Sequence, residues 1–172
     1  SDLPERAVDI QSALGSDIAM AFDECLAFPA THEQAAISMR RSLRWAVRCR
    51  SRMEEIRNAP DQGGATNQGQ ALFGIVQGGA FQDLRDESAA GTVALGFDGY
   101  AIGGLSVGEP NQQMYEVAGA TARSLPVDRP RYLMGAGTPA DLVEAVARGI
   151  DMFDCVMPRS EEHTSELQSQ YV

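Results

Sequence analysis

The chain has 172 residues, is 44% hydrophobic and carries a net charge of −10. That supports one domain with a sizeable core, and no apolar run approaches the roughly 18 residues of a membrane helix. The acidity counts mildly against a nucleic-acid partner, but it is uneven: lysine is absent, and seven of the 14 basic residues are arginines between Arg40 and Arg57.

Ser1-Asp2-Leu3-Pro4-Glu5-Arg6 lacks the basic-then-apolar pattern of a signal peptide. Glu5–Leu14 reads as a helix with Ser1 or Asp2 at its cap and Pro4 in its first turn. Ile18–Phe22 reads as a buried strand ending at Asp23-Glu24-Cys25. Thr31 with Gln34 fits a capping box. It opens a long helix to about Arg57, with Met39, Leu43, Ala46, Val47 and Met53 along one face. Asn58–Gln70, rich in Gly, Gln and Asn, is a loop. Ala71–Val76 is a second strand, ending at Gln77-Gly78-Gly79, and a helix covers about Gln82–Leu95. Tyr100–Ile102 is a third strand, ending at Gly103-Gly104; Pro110 opens a helix that Pro126 stops. Arg131–Met134 is a fourth strand, ending at Gly135-Ala136-Gly137. Thr138 caps the next helix, with Pro139 at its first position and Asp141 near its third, and Gly149 ends it. Ile150–Val156 is a fifth strand, carrying Asp154.

Continuous apolar strands alternating with helices mean an α/β fold with a parallel sheet. The G-x-G-x-x-G signature of a dinucleotide fold is absent, and the pattern favours a (β/α)8 TIM barrel. A barrel needs eight strands and about 250 residues. Only about five βα units are present, so the barrel is expected to be incomplete, with two unpaired sheet edges. Residues 1–158 form this partial domain. From Arg159 onward the sequence loses apolar periodicity, resembles the translation of a sequencing-library adapter and is expected to be non-native.

The polar residues gather at the C-terminal ends of the strands, where such folds bind ligands. Asp23 can accept two parallel hydrogen bonds from the N1–H and N2–H edge of guanine, or cap a loop. Gln77 can both donate and accept, which suits O6 or N7; next to two glycines it also fits a turn. Gly103-Gly104 allows close backbone approach to a ligand or makes a tight turn. Asp154 is a candidate nucleophile or the partner of an arginine. Gly135-Ala136-Gly137-Thr138-Pro139 feeds a helix N-terminus that can hold a phosphate, or is a capped helix start. Asp151 and Asp154, three apart in a strand, face opposite sides and do not form a dyad. His32 and His163 have no metal-ligating partner at useful spacing. The three cysteines, Cys25, Cys49 and Cys155, lie far apart with no C-x-x-C pair, which supports neither a zinc knuckle nor a disulfide framework and fits a reducing cytoplasm. The arginines at 40, 44 and 48 make a solvated helix face or one that tracks phosphates.

Five segments occur in the order in which the queuine tRNA-ribosyltransferase family carries them: Ser16–Cys25 (SDIAMAFDEC), Phe73–Gly79 (FGIVQGG), Gly103–Glu109 (GGLSVGE), Arg131–Gly135 (RYLMG) and Asp151–Val156 (DMFDCV). The chain resembles that family from about residue 1 to Pro158. The resemblance implies a TIM barrel in which Asp154 attacks C1′ of the wobble guanosine of a tRNA. A covalent intermediate follows, and a 7-deazaguanine base replaces guanine with retention. Asp23, Gln77, Gly103, Gly104 and the Leu105 backbone would hold the base, Met134 would pack on it, and Glu109 would support the Leu105 peptide. Cys25 and Val107 resemble the bacterial subtype, which uses 7-aminomethyl-7-deazaguanine. Gly135, Ala136, Gly137, Thr138, Pro139, Ala140 and Asp141 match a stretch that contacts the tRNA. The family's general acid/base Asp, its zinc site (C-x-C-x-x-C with a distant His) and its basic segment after the Pro158 position are expected outside this chain. A homodimer is implied for the full-length protein, and this piece alone is expected to be inactive. Two alternatives remain: a non-catalytic tRNA-binding relative, and an unrelated barrel acting on a phosphorylated small molecule.

Overall fold

Ten elements alternate along the computed structural model, which describes residues 3–58 and 66–155. α1 (Leu3–Leu14) is followed by β1 (Ile18–Met20), α2 (His32–Asn58), β2 (Ala71–Val76), α3 (Gln82–Leu95), β3 (Gly99–Ile102), α4 (Asn111–Arg123), β4 (Arg131–Leu133), α5 (Pro139–Val146) and β5 (Met152–Phe153). The cap proposed at Ser1 or Asp2, most of the 58–70 loop, Val156, His163 and everything from Arg159 lie outside the described residues.

The strands pair in parallel in the order β1-β2-β3-β4-β5. A doubly wound sheet reverses its order at a switch point; this one does not. Each helix packs on the next in sequence, from α1 on α2 to α4 on α5. Right-handed crossovers without a reversal keep the helices on one side, which is how a barrel wall is wound. Leu72, Val76, Ile102 and Leu133 are fully buried between the sheet and its helices.

Local signals place most element ends. The Thr31–Gln34 capping box forms: Gln34 N–H donates to Thr31 Oγ1 at 3.2 Å, and Thr31 N–H to Gln34 Oε1 at 2.9 Å. Thr138 and Asp141 cap α5 in the same reciprocal way. Gly149, at φ +87°, closes that helix, with Ile150 N–H reaching Ala145 O.

Three expectations need correction. Val47 is not on the buried face of α2; it is 47% exposed. The buried stripe runs through Met39, Ser42, Ala46, Cys49, Met53 and Ile56, so small polar residues hold positions where a reading keyed to aliphatic residues placed Val47. β1 stops at Met20 rather than Phe22, because α2 captures the next donors: Phe22 N–H points to Cys49 Sγ at 3.3 Å and Glu24 N–H to Ser42 Oγ at 2.9 Å. Asp154 follows β5 instead of lying within it, since the ladder to β4 ends at Leu133–Phe153.

The arginine cluster of α2 is largely neutralised. Arg40 pairs with Glu87, Arg41 with Glu24, Arg48 with Glu5, Arg50 with Glu54, Arg52 with Asp9 and Glu55, and Arg57 with Asp98. Several of these pairs tie α2 to α1 or α3, so they serve helix packing; each exposed pair contributes little, about 0–1 kcal/mol. Among the described residues no helix is long and apolar enough to cross a membrane.

Candidate active site at the strand ends

The strand ends surround an open cavity of about 330 Å³. Asp23, Cys25, Gln77, Gly103, Gly104, Leu105, Val107, Met134 and Asp154 line it together with Ser106 and Gly135. Residues from all five strand ends, up to 131 positions apart in the chain, thus share one wall.

Asp23 is set by its neighbours on both sides. Besides the Phe22 and Glu24 amides already described, Ser38 Oγ donates to Glu24 O at 3.2 Å, and Arg41 grips the Glu24 carboxylate. The small polar stripe of α2 therefore fixes the turn that presents Asp23. Gln77 Nε2 donates to Asp23 Oδ2 at 2.6 Å. Burial pushes the Asp23 carboxyl above its ordinary range, and the Gln77 bond offsets only part of this.

Gln77 is 3% exposed, and its own N–H donates to Ser88 Oγ at 3.1 Å. Its carboxamide lies close against Gly103-Gly104. A Cβ on Gly103 would come within 2.7 Å of Gln77 Nε2, and one on Gly104, at φ +66°, would overlap Oε1. The glycine pair thus makes room for Gln77. Glu109 stands just outside the cavity and braces the next loop, accepting from the N–H of Ser106 and, at 3.0 Å, of Val107.

Asp154 is exposed to the cavity. One oxygen, Oδ1, accepts from Tyr132 Oη at 2.6 Å and from Gly135 N–H at 2.7 Å. Two donors on one oxygen orient the carboxylate and leave Oδ2 for another task. Burial, and then the Asp154 contact, push the Tyr132 phenol above its ordinary range, so it stays a donor at neutral pH. Asp151 lies at the opposite end of β5, where its carboxylate accepts from Arg131 N–H; the two acids form no dyad.

The Gly135–Asp141 turn divides. Gly137, Thr138 and Asp141 line a neighbouring cavity of about 290 Å³ with Glu109 and Cys155. Ala136 is buried, while Pro139 and Ala140 are exposed. Asp141 is buried and points inward. Its carboxylate accepts from Tyr115 Oη at 2.6 Å and from Thr138 N–H at 3.1 Å. Burial works against its ionised form, but these bonds outweigh it and hold the carboxyl below its ordinary range. The protein's own carboxylate thus occupies the α5 N-terminus.

Sequence reading missed Tyr132, Ser88, Arg85 and the Ser38/Ser42/Cys49 stripe. The last two had a usable signal: Arg85, Ser88 and Thr92 recur in the helical phase of buried Leu84 and Ala89, as Ser42 and Cys49 do with Met39 and Ala46. His32 Nε2 lies 2.7 Å from Asp83 Oδ2 on the surface. Among the described residues no three His, Cys, Asp or Glu side chains gather as a metal site.

The raised pKa of Asp23 makes a stability prediction. The folded state holds this proton more tightly than the unfolded chain. The resulting stabilisation is complete below the ordinary carboxyl pKa and disappears as pH rises through the raised value. At neutral pH an ionised, largely buried Asp23 is therefore a destabilising group. Asp23→Asn keeps the shape and an acceptor for Gln77, and is expected to melt higher than wild type at pH 7, by about 1 kcal/mol. The gap should close as pH falls below the carboxyl range. Thermal melts at pH 7 and pH 3.5 test this; a variant less stable at pH 7 contradicts it.

Parallel strands whose C-terminal ends bring two carboxylates and a carboxamide around one cavity define an α/β protein of the singly wound, barrel-wall class. The sequence profile described as "Queuine tRNA-ribosyltransferase" matches residues 3–165. The chain belongs to the queuine tRNA-ribosyltransferase family. It is 55% identical over 168 residues to the "Queuine tRNA-ribosyltransferase" of Aromatoleum aromaticum, covering 98% of this chain and 43% of that protein. It is 56% identical over 155 residues to the protein so named from Acinetobacter baylyi (90% of this chain, 38% of the relative). The figure for Tolumonas auensis is 52% over 164 residues (95% and 41%). The chain thus spans about two fifths of the length of the curated relatives it matches.

Proposed function

We propose that the full-length protein is a tRNA-guanine transglycosylase that exchanges the wobble guanine of tRNA for 7-aminomethyl-7-deazaguanine, a step in queuosine biosynthesis. The observation that carries this reading is the shared cavity of Asp23, Gln77 and Asp154, with Asp154 oriented through one oxygen while the other is available. Asp23 accepts the N1–H and N2–H of the base, Gln77 and the Gly104 amide meet its O6, Cys25 and Val107 flank the 7-substituent, and Met134 covers the ring. Gly103 and Leu105 bound the base through their backbone, and Glu109 fixes the Leu105–Ser106 peptide.

Asp154 Oδ2 attacks C1′ of the ribose, the C1′–N9 bond breaks, and guanine leaves with a proton from a general acid outside this chain. The incoming deazaguanine gives up its N9 proton and attacks C1′, releasing the Asp154 carboxylate. Two inversions give retention. The Gly135–Asp141 turn faces the tRNA, with Ala136 and Asp141 bracing it from within and Gly137, Thr138, Pro139 and Ala140 at its surface.

The complete protein is read as a cytoplasmic (β/α)8 barrel acting as a homodimer, with residues 1–158 as part of that barrel and 159–172 as a non-native tail. The described residues offer no donor set for the family's zinc. The test is incubation of the full-length protein with tRNA and labelled guanine. Label should enter the tRNA, and 7-aminomethyl-7-deazaguanine should displace it. Failure of an intact, folded full-length protein to incorporate label sinks the reading.

A further inference from the structure

Beneath the cavity floor lies a charged side chain that the reaction scheme leaves unused. Arg85, on α3, is fully buried, and burial draws its pKa down to about 10, so it remains a cation at neutral pH. Glu109 and Cys25 act on it only through space. Its hydrogen bonds among the described residues run to main-chain carbonyls: Nε to Gly79 O at 2.7 Å, Nη1 to Val76 O at 3.5 Å, and Nη2 to Gly103 O at 2.9 Å and Gly104 O at 3.4 Å. Desolvating a guanidinium is costly. Here four carbonyls from the ends of β2 and β3 compensate it, and the planar fork lets one side chain span both strand ends.

The direction of those bonds has a chemical consequence. In a trans peptide the C=O and N–H point opposite ways. Carbonyls of Gly103 and Gly104 drawn toward Arg85 therefore turn the N–H groups of Gly104 and Leu105 away from it. Gly104 and Leu105 both line the cavity, opposite the side from which Arg85 holds the carbonyls. At φ +66°, Gly104 is the residue that tolerates this arrangement.

We propose that Arg85 is a positioning residue for base binding: by holding the Gly103 and Gly104 carbonyls on the α3 side, it aims the Gly104 and Leu105 N–H groups at the acceptor edge of the base. This rests on the base pocket proposed above. Lysine at 85 keeps the charge but cannot span both strand ends, and glutamine removes the charge.

The test measures binding of guanine and of 6-thioguanine to the full-length protein and to its Arg85→Lys and Arg85→Gln variants. 6-Thioguanine keeps the N1–H and 2-amino group but replaces O6 by a poor acceptor. Wild type should prefer guanine by about tenfold or more. Both variants should lose that preference to within about threefold, mainly through weaker guanine binding. In the exchange assay KM for guanine should rise about tenfold while kcat at saturation falls less than about threefold. Equal weakening of both bases means that Arg85 only stabilises the fold, and overturns the proposal. A wild type that binds the two bases alike overturns the pocket reading, and the role of Arg85 with it. The wild-type amide resonances of Gly104 and Leu105 give a reading that needs no variant: both should move with guanine more than with 6-thioguanine, and amides that respond to neither base overturn the proposal.

Discussion

Asp154→Asn in the full-length protein should abolish incorporation of labelled guanine into tRNA while leaving the fold intact. The carboxamide is nearly the same size, and its oxygen can still accept from Tyr132 Oη and Gly135 N–H, the two donors that orient Asp154 in the structure. What is lost is the second carboxylate oxygen, for which an amide nitrogen is no substitute as a nucleophile. Removing a covalent nucleophile from an enzyme costs at least about 10⁴-fold in rate. Because Asp154 is exposed, stability should stay within about 0.5 kcal/mol of wild type. A second readout separates chemistry from binding: wild type mixed with tRNA should give a protein–RNA band that survives denaturing electrophoresis, and the variant none. Exchange by the variant within about tenfold of wild type would remove Asp154 from the nucleophile's role.

Much of this site is legible in the sequence because chemistry-bearing residues fall at predictable places. A strand signal followed by Asp23, Gln77, Gly103 or Gly135 puts each at the same end of a parallel sheet, and parallel pairing then brings residues far apart in sequence around one cavity. The helix caps at Thr31 and Thr138 were readable for the same reason: a cap is a local hydrogen bond between residues three apart. What stayed hidden depends on contacts across the fold. Ala21 and Phe22 continue an apolar run on paper, yet Cys49 and Ser42 on α2 take the amides of Phe22 and Glu24, 27 and 18 residues away, and end β1. Tyr132 reads as an ordinary strand aromatic until Asp154 is placed 2.6 Å from its hydroxyl. Asp141 reads as an exposed helix-start acid, but Tyr115 on α4 draws it inward. For Arg85 the helical phase of α3 signals burial, but hydropathy scores an arginine as surface, and what hides its role is that its four carbonyl partners exist only once β2 and β3 lie side by side.

Gly104→Ala is the second large effect, and Gly96→Ala is its control. Both glycines have a left-handed backbone, φ +66° and +71°, so alanine at either position pays about 1–2 kcal/mol of conformational strain. They differ in surroundings. A Cβ on Gly96 meets nothing within 4 Å, whereas one on Gly104 overlaps Gln77 Oε1. The new methyl must push the Gln77 carboxamide off the floor of the cavity, which breaks its 2.6 Å bond to Asp23 Oδ2 and leaves a largely buried carboxylate without that donor. Two hydrogen-bonding groups of the proposed base site are misplaced together, each worth about 1–1.5 kcal/mol. The KM for guanine should therefore rise about 10²-fold in Gly104→Ala, with a loss of thermal stability at least as large as that of the control. Gly96→Ala, at the C-cap of α3 and away from the cavity lining, should lose stability alone and keep the wild-type KM. If Gly104→Ala turns over guanine with a wild-type KM, the Gln77 carboxamide is not a base-reading group, and the cavity must recognise its ligand through Asp23 and the loop amides instead. If both variants raise KM alike, backbone strain rather than the Gln77 contact governs the site.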